Sequence, residues 1–318
     1  MAKRSKGRLI DGIFLLDKPQ GLTSNAALQK VKRIFNAAKA GHTGALDPLA
    51  TGLLPITLGE ATKFSQVLLD SDKRYRTTAK LGIRTDSSDA DGEVVETKPI
   101  PDGLTVESIN SLLQSRFQGE IEQVPSMFSA LKFNGQPLYK LARQGIEVEV
   151  KPRQVTVYSI ELLDFRGDEI DLEVFCSKGT YIRSIVEDLG LELGCGAHVS
   201  MLRRLQTGAF TADQMLTLDQ LTDISHSLNE DESVESIQMR LDALLLPPWA
   251  AIEDKPLLVL PKTESDLIRQ GRMFPVDFPC SEMVRLQEEG TDTFLGIGRV
   301  DEEGILKPTR LLSSQVRT

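Results

Sequence analysis

Residues 74–81 alternate between two kinds of side chain at every position. One set is Tyr75, Thr77, Ala79 and Leu81, and the other is Arg74, Arg76, Thr78 and Lys80. Because successive side chains of a strand point to opposite faces of a sheet, this period of two predicts a strand with one face on the core and the other in water. Tyr75 is predicted to lie on the inward face.

Other segments predict further strands and helices around this strand. The short apolar runs at residues 12–17 and 53–58 are typical of buried strands, and strands are also expected near residues 155–165 and 170–176. Apolar residues recur at helical spacing after Ser24, which we interpret as a helix cap, and also in residues 61–68, 106–117 and 181–193. These patterns predict an α+β fold in which helices flank a mixed or largely antiparallel sheet.

The chain is predicted to divide near residue 246. An acidic stretch, residues 213–242, is followed by the pair Pro247-Pro248, which we interpret as a linker. Short apolar runs after it, and a turn at residues 301–304, predict a small β-rich domain over residues 247–318 that follows a larger domain over residues 1–246.

Residues 120–150 are less regular than their surroundings. Basic and aromatic side chains are interspersed there: Phe128, Lys132, Phe133, Tyr139, Lys140 and Arg143. This mixture fits an excursion that grips RNA, and it fits a solvated loop and helix equally well.

The charges are distributed unevenly along the chain. The formal net charge is −9, yet residues 1–84 hold fifteen Lys or Arg and only six Asp or Glu. A basic N-terminal third permits a nucleic-acid face without proving one. The basic start of the chain is followed by no apolar stretch long enough for a signal peptide or a membrane span, so a cytoplasmic location is expected. The three cysteines and three histidines are scattered, so neither a disulfide framework nor a zinc site is predicted.

Residues 40–52 form the most informative segment. Three glycines surround Asp47, the only acid among these thirteen residues. Glycine permits close approach of the backbone to a ligand, and Pro48 biases Asp47 towards an extended conformation. The carboxylate is therefore expected to project from a stiff loop, although an aspartate that only caps a turn fits the local pattern as well.

The sequence GHTGALDPLATGLLPI in and after this segment closely resembles the motif of the TruB family of tRNA pseudouridine synthases. Further matching stretches span most of residues 12–210: LDKPQGLTS, DKRYRTTAKLGIRTDSSDADG, SALK, CSKGTYIRSIVEDLG and GAHVSMLRRL. The resemblance implies a pseudouridine-synthase sheet core and, more weakly, a PUA-like domain at the C-terminus.

The resemblance also implies a reaction. The N1–C1′ bond of a uridine is broken, the uracil is turned, and the base is rejoined to the ribose through C5. The implied substrate is uridine 55 in the T-arm of tRNA, flipped out of its stack, and a monomeric enzyme that needs neither cofactor nor metal is expected. Whether the aspartate attacks C1′ of the ribose or C6 of the uracil is left open.

Three residues are implied to be catalytic. Asp47 matches the nucleophile of the family, and Arg183 matches the arginine that stabilises and orients the charged aspartate. Arg183 is predicted in the first turn of a helix, where the dipole disfavours a cation, and an ion pair with Glu187 is its alternative. Tyr75 resembles the tyrosine that stacks on the target uracil and shuttles a proton; a core tyrosine is its alternative.

Five further residues match family positions that bind the substrate. His42 is expected to fill the gap left by the flipped base, Tyr181 and Leu202 to line the uracil pocket, and Lys18 to lie near the active site. Arg203, together with its basic neighbour Arg204 and with Lys73, Arg74 and Arg76, is expected to hold phosphates.

Two other interpretations concern function. A non-catalytic protein that binds or folds RNA could use the same basic cleft, and a relative acting on another RNA is also compatible with the motifs. A calcium loop at residues 86–92 is rejected, because Lys98 stands where the bidentate Glu is required.

Overall fold

The computed structural model of the chain describes residues 7–129, 131–142, 144–146, 148–226 and 233–313. The strands are, in chain order, β1 (Gly12–Lys18), β2 (Ala40–His42), β3 (Thr51–Leu58), β4 (Lys73–Leu81), β5 (Ile83–Thr85), β6 (Val94–Thr97), β7 (Gly119–Gln123), β8 (Lys132–Phe133), β9 (Gln136–Pro137), β10 (Arg153–Phe165), β11 (Glu169–Cys176), β12 (Ala197–Thr207), β13 (Phe210–Thr211), β14 (Leu216–Thr217), β15 (Leu257–Leu260), β16 (Phe274–Pro275), β17 (Ser281–Glu288), β18 (Phe294–Val300) and β19 (Ile305–Leu311).

Helices flank these strands. The α-helices are α1 (Ser24–Ile34), α2 (Ser65–Asp70), α3 (Val106–Leu112), α4 (Leu138–Ala142), α5 (Ile182–Glu192), α6 (Leu218–His226), α7 (Val234–Asp242) and α8 (Lys262–Arg269). Short 3-10 helices are formed by Gly59–Phe64, Ala212–Gln214 and Pro248–Ile252, and Leu113–Phe117 is a π-helical turn.

Ten of the described strands form one mixed sheet. Its order is β14-β1-β3-β12-β4-β11-β10-β7, with β2 beside β3 and β13 beside β12. The pairs β1/β14 and β3/β12 are parallel, and the remaining pairs are antiparallel. The predicted α+β class with a mixed, largely antiparallel sheet is confirmed.

Strand β4 lies at the centre of this sheet, between β12 and β11. Thr77, Ala79 and Leu81 are buried on its inward face, and Tyr75 is partly buried and packs against the main core. The outward face is polar, with Arg74 paired to Glu173 at 2.9 Å. The predicted alternation is therefore confirmed, and Arg74 lies on the face opposite to Tyr75.

Helix α1 begins one residue away from the predicted position. The side chain of Thr23 accepts a hydrogen bond from the backbone N–H of Ala26, so Thr23 is the N-cap and the prediction of Ser24 was wrong. Both residues are hydroxyl types that cap helices, so the local pattern could not separate them. Ser24 is instead buried and contacts a distant loop.

We expect the Thr23→Ala substitution to lower the free energy of unfolding by about 1 kcal/mol, because one N-terminal amide of α1 loses its acceptor. Urea titration followed by circular dichroism measures this loss. An unchanged denaturation midpoint would show that the cap contributes nothing to stability.

The C-terminal residues form a five-stranded sheet of order β15-β17-β18-β19-β16. It packs directly on the larger domain: the rings of Phe64 and Phe294 are 5.7 Å apart, and Lys63 donates to the carbonyl of Leu311 at 2.7 Å. The predicted linker is structured, because Pro248–Ile252 forms a 3-10 helix in which Ala250 and Ile252 are buried. The division at residue 246 itself stays a prediction.

Residues 120–150 contain a short hairpin of β8 and β9 followed by α4. Arg143 lies outside the described residues, as does the basic arm at residues 1–6. Within the described ranges, the helices are all too short or too polar to cross a membrane.

Candidate active site

Asp47 lies in the loop between β2 and β3, and its two neighbours in the chain are both held in place. The backbone N–H of Leu46 donates to Ser24 Oγ at 2.7 Å, and this hydroxyl lies 3.0 Å from the carbonyl oxygen of Leu46. The carbonyl of Pro48 accepts from the backbone N–H of Gly21 at 2.8 Å. The loop is therefore fixed on both sides of the carboxylate by hydrogen bonds to residues 21 and 24.

The guanidinium of Arg183 binds the carboxylate of Asp47. Its Nε lies 3.1 Å from Asp47 Oδ2, and the Arg183 side chain is only 5% exposed. Arg183 is the second residue of α5, where it is close to the positive end of the helix dipole. The carboxylate of Asp47 offsets the cost of placing a cation there. Because this carboxylate binds Arg183, the alternative in which Asp47 only caps a turn is wrong.

Arg183 uses its other nitrogen atoms as well. Nη1 lies 3.4 Å from the carboxylate of Asp89 and donates to the carbonyl of Ser87 at 2.9 Å, while Nη2 donates to the carbonyl of Phe128 at 3.1 Å. The predicted alternative, an ion pair with Glu187, is wrong. Glu187 is turned away and binds Arg84 and Ser88.

A cavity of about 280 Å³ opens in front of this ion pair. The side chains that give it its chemical character are Asp47, Tyr75, Tyr181, Arg183, Leu202 and Arg204. Its mixture of aromatic, apolar and charged groups is typical of a ligand site, and its volume suits a small planar group. Besides Asp47, four of these residues are predicted site residues: Tyr75, Tyr181, Arg183 and Leu202.

The charge state of Asp47 is set by opposing effects. Burial raises the pKa of its carboxyl group, and the neighbouring acids Asp89 and Asp91 raise this pKa further, whereas Arg183 and Lys18 lower it. The side chain is nevertheless 40% exposed, through the cavity. The carboxylate is thus recessed but reachable, and a substrate that fills the cavity removes its remaining water.

We expect the rate of the chemical step to fall in acid with a midpoint above about 3.9, the pKa of an ordinary aspartate. If Asp47 is the nucleophile it must be ionised, and its raised pKa moves the loss of the carboxylate to higher pH. Single-turnover rates measured across a pH series, with circular dichroism to verify folding, test this. A rate that stays constant down to pH values near the ordinary pKa would contradict it.

Lys18 is buried behind the loop. Its Nζ donates to the carbonyl of Pro19 at 2.9 Å and lies 3.5 Å from that of Pro48, and burial lowers its pKa to about 8. Its charge acts on Asp47 without a direct contact. The expectation that Lys18 lies near the active site agrees with this position, which supports the loop from behind.

Tyr75, Tyr181 and Leu202 all face the cavity. Burial raises the pKa of Tyr75, so its phenol stays protonated at neutral pH. Tyr181 precedes α5, and the buried side chain of Gln123 holds its backbone by accepting from its N–H at 3.0 Å and donating to its carbonyl at 3.2 Å. Both tyrosines are thus presented by fixed backbone.

His42 does not line the cavity. It ends β2, where it is paired with Ile56 of β3, and burial together with the charge of Arg204 lowers its pKa. Its Nδ1 is buried and has no hydrogen-bond partner among the described residues. The predicted role of His42 in filling the gap of a flipped base remains a prediction.

The basic residues are less available than predicted. Arg203 forms a two-point ion pair with Asp17, at 2.7 and 2.9 Å, and lines a different cavity of about 620 Å³ beside α1 and α6. Arg204 is buried and donates to the carbonyls of Leu53 and Gly44. Lys73 is buried too, with its ammonium on three backbone carbonyls. Lys73 and Arg204 therefore do not present their charges to phosphates.

The sequence assigned no site role to two residues that contact the ion pair or its loop. Asp89 was considered as part of a rejected calcium loop and Ser24 as a helix cap, and both also lie in stretches that match the family. The acidic run DSSDADG was the available signal for Asp89, but its partner Arg183 lies almost a hundred residues later. Among the described residues there is no group of His, Cys, Asp and Glu side chains that could hold a metal ion.

Comparison with known proteins agrees with the resemblance to the TruB family found in the sequence. Residues 32–182 match the model of the TruB family pseudouridylate synthase N-terminal domain. Residues 183–253 match the tRNA pseudouridylate synthase B C-terminal domain, and residues 256–312 match the C-terminal model of pseudouridine synthase II TruB.

Curated relatives and solved structures extend this match. The tRNA pseudouridine synthase B of Vibrio cholerae serotype O1 (strain M66-2) is 54% identical over 314 residues, which cover 98% of this chain and 99% of that protein. The protein of the same name from Shewanella sp. (strain MR-7) is 54% identical, with 98% and 97% covered. A crystal structure of a Cbf5-Nop10-Gar1 complex matches with a TM-score of 0.69 at 28% identity, over 92% of this chain and 79% of the other.

The fold and the site together define a pseudouridine synthase, an isomerase that acts on uridine. Within that class, the chain belongs to the TruB family.

Proposed function

We propose that this enzyme converts uridine 55 in the T-arm of tRNA to pseudouridine, with Asp47 as the nucleophile. The observation that carries the proposal is the carboxylate of Asp47, held 3.1 Å from the buried guanidinium of Arg183 at the wall of a cavity. The two curated relatives described above, each about half identical, are named tRNA pseudouridine synthase B. Their names support tRNA as the substrate.

The chemistry requires a nucleophile that is ionised and shielded. Covalent capture by a carboxylate divides one difficult bond cleavage into easier steps, and C1′ of the ribose and C6 of the uracil are its two possible targets. The N1–C1′ bond breaks, the uracil turns, C5 bonds to C1′, and the C5 proton leaves as N1 gains one. Water must be excluded throughout, because it would hydrolyse the intermediate.

Arg183 stabilises the ionised form of Asp47 and fixes its direction. Its remaining nitrogen atoms are anchored on Asp89 and on two backbone carbonyls, so the guanidinium does not move to meet the substrate. Tyr75 stacks on the uracil with a protonated phenol available for proton transfer. Tyr181 and Leu202 hold the base at the cavity wall.

The uridine enters the cavity by leaving its stack. A base within a stacked loop cannot reach a recessed carboxylate, and flipping it out costs a few kcal/mol. His42 braces the position that the base leaves, and Arg203 holds phosphate on the RNA next to the site. The enzyme works on RNA as a monomer in the cytoplasm, and the hairpin region at residues 120–150 grips the RNA arm.

The decisive experiment is a tritium-release assay on a transcript of the T-arm stem-loop that carries tritium at C5 of its uridines. The expected result is release equal to one uridine per transcript, and none from a transcript with cytidine at position 55. Release from the cytidine transcript would assign the activity to another uridine. No release from either transcript, with release from ribosomal RNA, would assign another RNA substrate.

A non-catalytic RNA-binding or RNA-folding protein is the second candidate that the sequence left open. It predicts that loss of the Asp47 carboxylate leaves every effect of the protein on RNA unchanged. The anchored ion pair at the cavity wall favours the enzyme, because RNA binding alone has no use for a recessed acid.

A further inference from the structure

Residues 18–24 form a turn that holds the backbone on both sides of Asp47. On one side, Ser24 Oγ accepts from the backbone N–H of Leu46 at 2.7 Å and donates to its carbonyl at 3.0 Å. On the other side, the carbonyl of Pro48 accepts from the N–H of Gly21 at 2.8 Å. A single side chain, that of Ser24, thus satisfies both polar backbone groups of the residue before the nucleophile.

The environment makes these two bonds hard to replace. Ser24 is only 4% exposed and Leu46 is 6% exposed, so water has little access to either group. A buried N–H or C=O that loses its partner retains its full desolvation cost. Without the Ser24 hydroxyl, the peptide of Leu46 is therefore expected to turn in search of new partners. The Leu46 carbonyl belongs to the peptide bond that joins Leu46 to Asp47.

We propose that Ser24 is a positioning residue for the isomerisation: by fixing the two peptide groups that flank Leu46 it keeps the Asp47 carboxylate on Arg183 and directed into the cavity. The proposal rests on the proposed function of Asp47. It does not place Ser24 in contact with the substrate, because the hydroxyl is occupied by the backbone of Leu46 and is buried behind the loop.

The neighbouring residue offers a matched control. Thr23 is exposed, and its hydroxyl accepts from the N–H of Ala26 in α1 without touching the Asp47 loop. Thr23→Ala and Ser24→Ala each remove one hydroxyl from the start of the same helix. If Ser24 matters only for the stability of α1, the two substitutions have similar consequences. If it positions Asp47, only the second one slows the chemistry.

The test compares single-turnover rates and RNA affinities of the two variants on the T-arm stem-loop. We expect Ser24→Ala to lower the rate constant between about ten- and a hundredfold, the size expected for a misplaced reacting group. Its dissociation constant for the RNA should stay within twofold of the wild type, and Thr23→Ala should keep both values. An unchanged rate in Ser24→Ala, or an equal fall in Thr23→Ala, overturns the proposal.

A pH series measures the position of the acidic limb of the rate profile, which a simple loss of stability does not shift. The charged groups that act on Asp47 are Arg183, Lys18, Asp89 and Asp91, of which Arg183 lowers its pKa most. A carboxylate that drifts from Arg183 loses this effect, so the acidic limb of the rate profile should shift to higher pH in Ser24→Ala. Ser24→Thr keeps the hydroxyl, so its rate and the position of its acidic limb should both match those of the wild type. A lower rate with an unshifted limb overturns the proposal.

The Asp47→Asn variant separates this proposal from the one on which it rests. If Asp47→Asn is inactive while Ser24→Ala is as fast as the wild type, the positioning role fails and the nucleophile stands. If Asp47→Asn is active, the proposed function fails and Ser24 has no nucleophile to position.

Discussion

Replacing Asp47 with Asn should reduce isomerisation by about a thousandfold or more, while the RNA still binds. Loss of that size corresponds to about 4 kcal/mol of transition-state stabilisation. The amide keeps the shape of the carboxylate and can still accept a hydrogen bond from Arg183, but it cannot attack an electrophilic carbon. The variant therefore loses the reactive carboxylate but keeps the other residues that line the cavity.

Single-turnover tritium release and filter binding measure the two quantities separately. Asp91→Asn is a matched control, because Asp91 is an exposed acid whose charge also acts on Asp47 but which does not line the cavity. It should change the rate by less than about threefold, since an exposed charge is well screened by water. An Asp47→Asn variant with more than a tenth of the wild-type rate would exclude Asp47 as the nucleophile.

Replacing Arg183 with Met should lower the rate by about a hundredfold or more and weaken RNA binding far less. The substitution leaves Asp47 and the buried Asp89 without their shared cation, so Asp47 gains a proton more easily and loses its direction. Removing one partner of a buried pair also costs about 3 kcal/mol of stability or more. Rates must therefore be measured at a temperature where the variant is shown to be folded.

Two further arginine variants sharpen this result. Arg183→Lys keeps the charge but cannot reproduce the planar group that reaches Asp47, Asp89 and two carbonyls at once, so it should restore folding more than rate. Arg203→Met removes an arginine that lines the other cavity, and it should affect affinity more than rate. If Arg183→Met loses affinity and rate in equal proportion, the arginine serves only to hold phosphate.

The sequence predicted the elements whose pattern is local. The alternation of residues 74–81 identified the central strand β4, and the apolar spacing near residue 182 identified α5. The unfavourable position of Arg183 in the first turn of α5 indicated that it needed an anion, and the structure supplies Asp47. The two elements were predicted from neighbours in the chain, and so was the need of Arg183 for an anion, whereas Asp47 as that anion came from the resemblance to the TruB family.

The predictions that failed depended on distant contacts. Arg204 and Lys73 resemble surface cations in sequence, but their charged groups bind backbone carbonyls of the interior. Ser24 resembles a cap because it is a hydroxyl residue at the start of a helix, and its actual partner, Leu46, lies 22 positions away. Asp89 could not be assigned, since nothing near it in the chain identifies Arg183 as its partner.

The guanidinium of Arg183 joins three stretches of chain that are far apart in sequence: the Asp47 loop, the turn at residues 87–89, and Phe128 in the hairpin region. Each stretch is held by its own contact to this one side chain. A substitution in any one of these stretches is therefore expected to reach Asp47 through the position of one guanidinium.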